Sequence, residues 1–218
     1  MRVFDGTGRE IIASLLAVTS GKRAARILGE APRLAPVRLR VSLAQVVLRG
    51  PAMDLIVGKA TELGVSGIIP LEGEHSVRRA SGARASRWLR IVQEAAEQCG
   101  RRELPEIAPA CSLETFLFNH PDETPLVVCD ASQESRPLLA VCGELAGIAS
   151  LTLLVGGEGG LSAAEVERLR FRGARFTSLG PRILRAETAA LAALTLIQAT
   201  LGDWRLAREG ECTQPSSS

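Results

Sequence analysis

The residues best suited to chemistry in this chain sit on two glycine-bearing segments. The first, Leu153-Leu154-Val155-Gly156-Gly157-Glu158-Gly159-Gly160-Leu161-Ser162, is an apolar run that breaks into a turn and resumes at a helix-start signal. Four glycines in the five positions 156–160 exceed what a strand-to-helix turn requires. Glycine lets backbone N–H groups come close to a ligand, and the turn precedes a helix N-terminus, so the segment reads as a cradle for a small molecule. It is not a dinucleotide fingerprint, because Gly157-x-Gly159 is followed by Ser162 where a third glycine is needed. It is not a P-loop either, because no Gly-Lys-Ser/Thr follows. The second segment, Ser178-Leu179-Gly180-Pro181-Arg182-Ile183-Leu184-Arg185-Ala186-Glu187-Thr188, turns at Gly180-Pro181 and carries Arg185 and Glu187 at the opening of an apolar helix. An arginine stays protonated, so it can stabilise an anion but cannot remove a proton. A carboxylate can accept the proton or hold the arginine. The bland reading of Arg185 and Glu187 is an ordinary ion pair. Two such loops after successive strands instead suggest one shared pocket, since open α/β sheets bind ligands at the C-terminal ends of their strands.

The elements that must position these loops alternate. Helical periodicity covers Ala52 to Leu63 and stops at Gly64, and Val65 to Leu71 is a short apolar strand. Ala83 to Cys99 is amphipathic, with Trp88, Ile91, Val92, Ala95, Ala96 and Cys99 on one face. Strands follow at 104–108, 125–130, 151–155 and 175–179. Helices start at Ser112, near Pro137, at the capping box Ser162–Glu165, and at Glu187. Strands separated by helices imply a parallel sheet covered on both faces. Residues 1–49 read differently, as short β-prone stretches (Val3-Phe4, 10–18, 24–28 and 37–48) broken by glycine and proline, hence a small β module. The expected organisation is a partial β domain over 1–49, an α/β domain over 50–204 and a polar tail over 205–218.

Composition narrows the function classes. The 46% apolar and 23% charged residues are ordinary for a globular chain. No apolar run reaches the length of a membrane span, and the start MRVFDGTGRE has no apolar signal core, so an intracellular, cytoplasmic protein is expected. The five cysteines and two histidines show no metal-ligand spacing, so no metal is expected. The charge is segregated: 17 Lys/Arg against 9 Asp/Glu in residues 1–102, and 9 against 15 in 103–218, giving +8 and −6. A basic half suits a polyanion. Arg78, Arg79, Arg84, Arg87 and Arg90 form an arginine-rich stretch that is either a polyanion-facing surface or a solvated face. With no Tyr and few Phe or Trp, a broad stacking platform for nucleobases is not expected.

The segments KATELGV (59–65), AAEQCGR (95–101), LLVGGEGG (153–160) and LGPRILRAETA (179–189), in that order, resemble the SPOUT-superfamily 16S rRNA (uracil-N3) methyltransferases. The resemblance spans about residues 3–203. It implies a PUA-like β-barrel followed by an α/β domain with a deep trefoil knot, a homodimer, S-adenosylmethionine as cofactor, and methylation of a uridine in small-subunit rRNA. It further implies cofactor contacts from Leu153, Gly156, Glu158, Gly159, Gly160, Leu179, Gly180, Ile183, Leu184 and Thr188. Arg185 and Glu187 are the catalytic candidates, and Arg78, Arg79, Arg84, Arg87, Arg90 and Arg101 form the RNA-facing set, holding RNA by phosphate contacts and shape. Alternatives are a SPOUT enzyme acting on another RNA, such as a tRNA ribose, and a non-catalytic RNA-binding or ribosome-assembly protein. Two departures stand out. The family pattern G-P-E-G-G has Gly157 in place of its proline, which costs loop rigidity. Family members also carry more chain ahead of a segment like Val3–Gly6, which implies an incomplete barrel.

Overall fold

The computed structural model describes residues 1–19, 22–32, 37–73, 82–130 and 135–204. Arg78 and Arg79 of the arginine-rich stretch, and the tail from 205, lie outside the described residues. The chain opens with three strands, β1 (Arg2–Phe4), β2 (Glu10–Thr19) and β3 (Lys22–Glu30), which form an antiparallel sheet in that order. Then come β4 (Arg40–Val46), α1 (Pro51–Glu62), β5 (Gly67–Glu72), α2 (Gly82–Cys99), β6 (Glu106–Ile107), β7 (Cys111–Ser112), α3 (Leu113–Asn119), β8 (Leu126–Cys129), β9 (Arg136–Pro137), α4 (Leu138–Glu144), β10 (Ser150–Val155), α5 (Ala163–Phe171), β11 (Arg175–Ser178) and α6 (Ala186–Thr200). The larger sheet runs β6-β5-β4-β10-β8-β11-β9, with β7 also on β5, and its pairings are parallel. This mixed α/β architecture behind a small antiparallel sheet is the class expected.

The sheet is covered on both sides because its central strands are apolar on both. On β10, Leu151, Leu153 and Val155 face a core shared with α1, α2, α4 and α6, while Leu154 faces a second core with Leu113 and Phe116 of α3 and Leu169 of α5. Burying a side chain of this size contributes roughly 1.5–3 kcal/mol, so the two-sided run at 150–155 fixes this strand in the middle of the sheet. The Ser162–Glu165 capping box forms as expected: each side chain accepts from the other residue's backbone N–H, at 3.1 and 2.8 Å.

One expectation is corrected. The stretch ending at residue 48 does not complete the N-terminal β module. β4 lies between β5 and β10, its Arg40–Gln45 in register with Ser150–Val155, so the α/β unit begins well before residue 50. The reason is that Leu39, Val41, Leu43, Ala44 and Val46 are all buried, which needs cover on both faces. A three-stranded sheet offers no such cover. That sheet leaves Leu15, Leu16, Ile27 and Leu28 at least half exposed. It is fastened to the α2–β6 connection by bridges from Gly6 and Thr7 to Glu103 and by the Glu10–Arg102 ion pair. That pair is 2.5 Å apart, with only 6% and 9% of the two side chains exposed.

Candidate active site

A cleft of about 560 Å³ opens where the C-terminal ends of β10, β8 and β11 meet the N-terminal turns of α1 and α6. Both glycine-bearing segments form its walls, Gly156–Glu158 with Gly160 and Leu161 from the first, and Thr177–Gly180 with Arg182–Glu187 from the second. The first loop folds back on itself: Gly160 sits at φ 71° and its N–H donates to the Gly157 carbonyl at 3.0 Å. A Cβ on Gly156 would lie 3.3 Å from the Gly160 carbonyl carbon, so a side chain there would push the two limbs apart by a few tenths of an ångström. Gly180, at φ 109°, makes the corresponding turn in the second loop.

Of the residues expected to hold a cofactor, Gly156, Glu158, Gly160, Leu179, Gly180, Ile183 and Leu184 line the cleft. Leu153, Gly159 and Thr188 are not on its wall. Leu153 is wholly buried in the core, Gly159 is at the exposed turn of the loop, and Thr188 is exposed on the first turn of α6. Arg185 and Glu187 both line the cleft. Arg185 is the N-cap residue of α6 and its side chain makes no cap bond, which leaves the guanidinium available. Among the described residues no ion pair joins it to Glu187.

The arginines assigned to RNA separate. Arg101 points inward: it is half-buried and donates to the carbonyls of Thr61 and Val65, each at 2.8 Å, so it closes the C-terminal turn of α1 and does not face a ligand. Burial pulls its pKa below the usual arginine value. Arg87 is held by Asp54 at 2.7 Å, where Trp88 also donates, and Arg90 pairs with Glu94 at 3.6 Å. Arg84 is half-buried near the start of α2.

Sequence reasoning missed the support that β4 provides. The buried Gln45 amide donates to the Gly156 carbonyl at 3.1 Å and to the Val46 carbonyl at 2.9 Å. The Arg49 N–H reaches Glu158 at 3.3 Å, with the Arg49 guanidinium 3.9 Å from the same carboxylate. Val46 fills the space beside Gly157: a Cβ there would lie 3.0 Å from Val46 Cγ1. Cys129 and Asp130, at the end of β8, also line the cleft. Their place between β10 and β11 is the one signal, strand end beside strand end, that could have marked them. Burial pushes the Cys129 thiol up to about 11, offset in part by the Thr177 hydroxyl.

This arrangement suits a polar small molecule that carries charge. The cleft is in the size range of ligand sites, and charges of both signs line it, with Asp130, Glu158 and Glu187 beside Arg182 and Arg185. Among the described residues no group of three or more His, Cys, Asp or Glu could hold a metal, and no helix is long and apolar enough to cross a membrane.

Residues 35–198 match the family model of the RNA methyltransferase domain. The chain is 36% identical over 167 residues to ribosomal RNA small subunit methyltransferase E of Bacillus subtilis, covering 73% of this chain and 65% of that one. It is 31% identical to the protein of the same name from Buchnera aphidicola subsp. Schizaphis graminum, covering 93% and 82%. The chain thus spans just under two thirds of the Bacillus relative's length. The crystal structure of the Neisseria gonorrhoeae protein of that name, bound to S-adenosyl methionine, superposes with a TM-score of 0.86 at 31% identity, covering 94% of this chain and 84% of the other. With the domain model matching three quarters of this chain and a relative above 30% identity covered over 82% of its own length, the chain belongs to the RNA methyltransferase family that includes ribosomal RNA small subunit methyltransferase E.

Proposed function

We propose that this protein binds S-adenosylmethionine in the cleft between its two glycine-bearing loops and methylates N3 of a uridine in 16S rRNA of the small ribosomal subunit. The observation that carries the reading is the convergence of both loops on one cleft with Arg185 and Glu187 on its wall. The backbone of Gly156, Gly160, Leu179 and Leu184 holds the cofactor, which supplies an electrophilic methyl group when bound. The carboxylates of Asp130, Glu158 and Glu187 match its positive charge. The two loops are also the segments a trefoil knot would thread in this family.

Uracil N3 carries a proton and is a poor nucleophile at neutral pH. The chain therefore has to take up that proton and stabilise the charge that develops on O2 and O4. Arg185, free of a capping bond, supplies the stabilisation. Glu187, in the first turn of α6 and without an ion pair to Arg185 among the described residues, accepts the proton. The protein works in the cytoplasm as a homodimer. Support for the second subunit comes from α6, whose Leu191, Ala192 and Leu196 stay partly exposed beside a buried face of Ala190, Ala193, Leu194 and Ile197.

Calorimetry with S-adenosylmethionine, light scattering, and mapping of methylated uridines in 16S rRNA with and without the gene test these statements. Within that reading, Arg185→Ala is expected to lower the single-turnover rate by about a hundredfold to a thousandfold with cofactor affinity nearly unchanged. An interaction made mainly in the transition state appears in the rate and not in ground-state binding. A parallel loss of cofactor affinity would make Arg185 a brace of the loop.

A further inference from the structure

We infer that Arg182, on the rim of the cleft, grips a backbone phosphate next to the target nucleotide, and that the α2 arginines Arg87 and Arg90 do not. The inference rests on the proposed RNA substrate and specifies how this chain meets it.

Charge that is already neutralised contributes little to holding a polyanion, because an ion pair must be broken before a phosphate can be taken. On α2, Arg87 is bound by Asp54 through both Nε and a terminal nitrogen, at 2.8 and 2.7 Å, and Arg90 has Glu94 one turn away. The rim differs. Arg182 and Arg185 stand three residues apart on the loop after β11, both exposed and both lining the cleft. Among the described residues neither has a carboxylate within 4 Å. Between them Ile183 is 89% exposed, so this loop projects from the body of the domain.

A uridine whose N3 enters the cleft leaves its flanking phosphates at the mouth. Arg185, at the N-cap of α6, is already assigned to the base. Arg182, just after the Gly180-Pro181 turn and likewise exposed, is the cation left to meet the backbone. A phosphate contact fixes register without reading sequence.

The test is the salt dependence of RNA binding, read by fluorescence anisotropy of a labelled single-stranded RNA carrying a central uridine, with S-adenosylmethionine present. Each phosphate contact to a single strand contributes about 0.7 to the slope of log K against log salt. Arg182→Ala is expected to reduce the slope by about that amount, Arg182→Lys to keep it, and Arg90→Ala to leave it unchanged. Calorimetry with S-adenosylmethionine is expected to give the same affinity for all three variants, which separates lost RNA contact from a collapsed cofactor loop. An unchanged slope in Arg182→Ala, or a reduced one in Arg90→Ala, overturns the inference. A wild-type protein that binds the cofactor but shows no salt-dependent RNA binding sinks the substrate reading instead.

Discussion

Gly157 stands where the resembling family has proline, and the structure gives a steric reason for glycine there that can be measured. Gly157 is not among the glycines with positive φ, so an alanine could adopt its backbone. What crowds a side chain is Val46, 4% exposed at the end of β4, whose Cγ1 lies 3.0 Å from where a Cβ would sit. The same methyl is 2.9 Å from a Cβ on Gly73, so Val46 is wedged between the loops that follow β5 and β10. Two effects compete in Gly157→Ala. Restricting the unfolded chain stabilises by about 0.4–1 kcal/mol, and overpacking against Val46 costs about 1–3 kcal/mol. Overpacking wins, with a net loss of about 1 kcal/mol. Val46→Ala alone removes two buried methyls and costs roughly 2 kcal/mol, with the residual cavity included. With Val46 cut back to alanine, the nearest remaining atom is its Cβ at 3.7 Å, an ordinary contact. Gly157→Ala then keeps only its entropic gain, so its sign reverses and the pair couples by about 1–2 kcal/mol. Urea unfolding of the wild type, both single variants and the double variant measures the cycle, and S-adenosylmethionine titration of the same four proteins reads the loop directly. If Gly157→Ala destabilises equally in the wild type and in the Val46→Ala background, Val46 is not the reason for the glycine.

Two other perturbations separate structural from functional roles. Arg101→Ala removes two charge-assisted hydrogen bonds from the carbonyls of buried Thr61 and Val65 and is expected to cost about 2–3 kcal/mol in urea unfolding. The slope of its RNA binding against salt is expected to stay at the wild-type value, and a reduced slope would return Arg101 to the RNA-facing set. Cys129, with its thiol near 11, is expected to react with iodoacetamide at pH 8 roughly a hundredfold more slowly than a thiol of ordinary pKa, because the thiolate fraction is smaller by about that factor. Because the folded form keeps this proton where the unfolded form has lost it, stability attributable to Cys129 is full below about pH 9 and declines toward pH 11. Unfolding midpoints at pH 8 and pH 10, with Cys129→Ala as reference, give the sign.

What the sequence determined by itself is what depends on neighbours along the chain. The Ser162–Glu165 box, the Ser112 cap of α3 and the two-sided apolar run of β10 arise within a few residues, and each is where its pattern says. The turns of the two glycine-bearing loops were legible for the same reason, since a turn that needs glycine and a helix that opens beside a charged residue are local facts. Tertiary structure decided the rest because strand order and facing partners are set by packing between distant segments. β4 reads as one more short strand of the N-terminal module, yet burial on both faces draws it between β5 and β10. There its end supplies Gln45, Val46 and Arg49 to a loop more than a hundred residues later. Arg101 has the composition of an RNA contact, and only the C-terminal turn of α1 packed beside it, with two carbonyls in need of donors, turns it inward. Cys129 and Asp130 carry no local signal in the chain. They become cleft residues because β8 lies between β10 and β11, a placement the hydrophobic pattern allows but does not dictate.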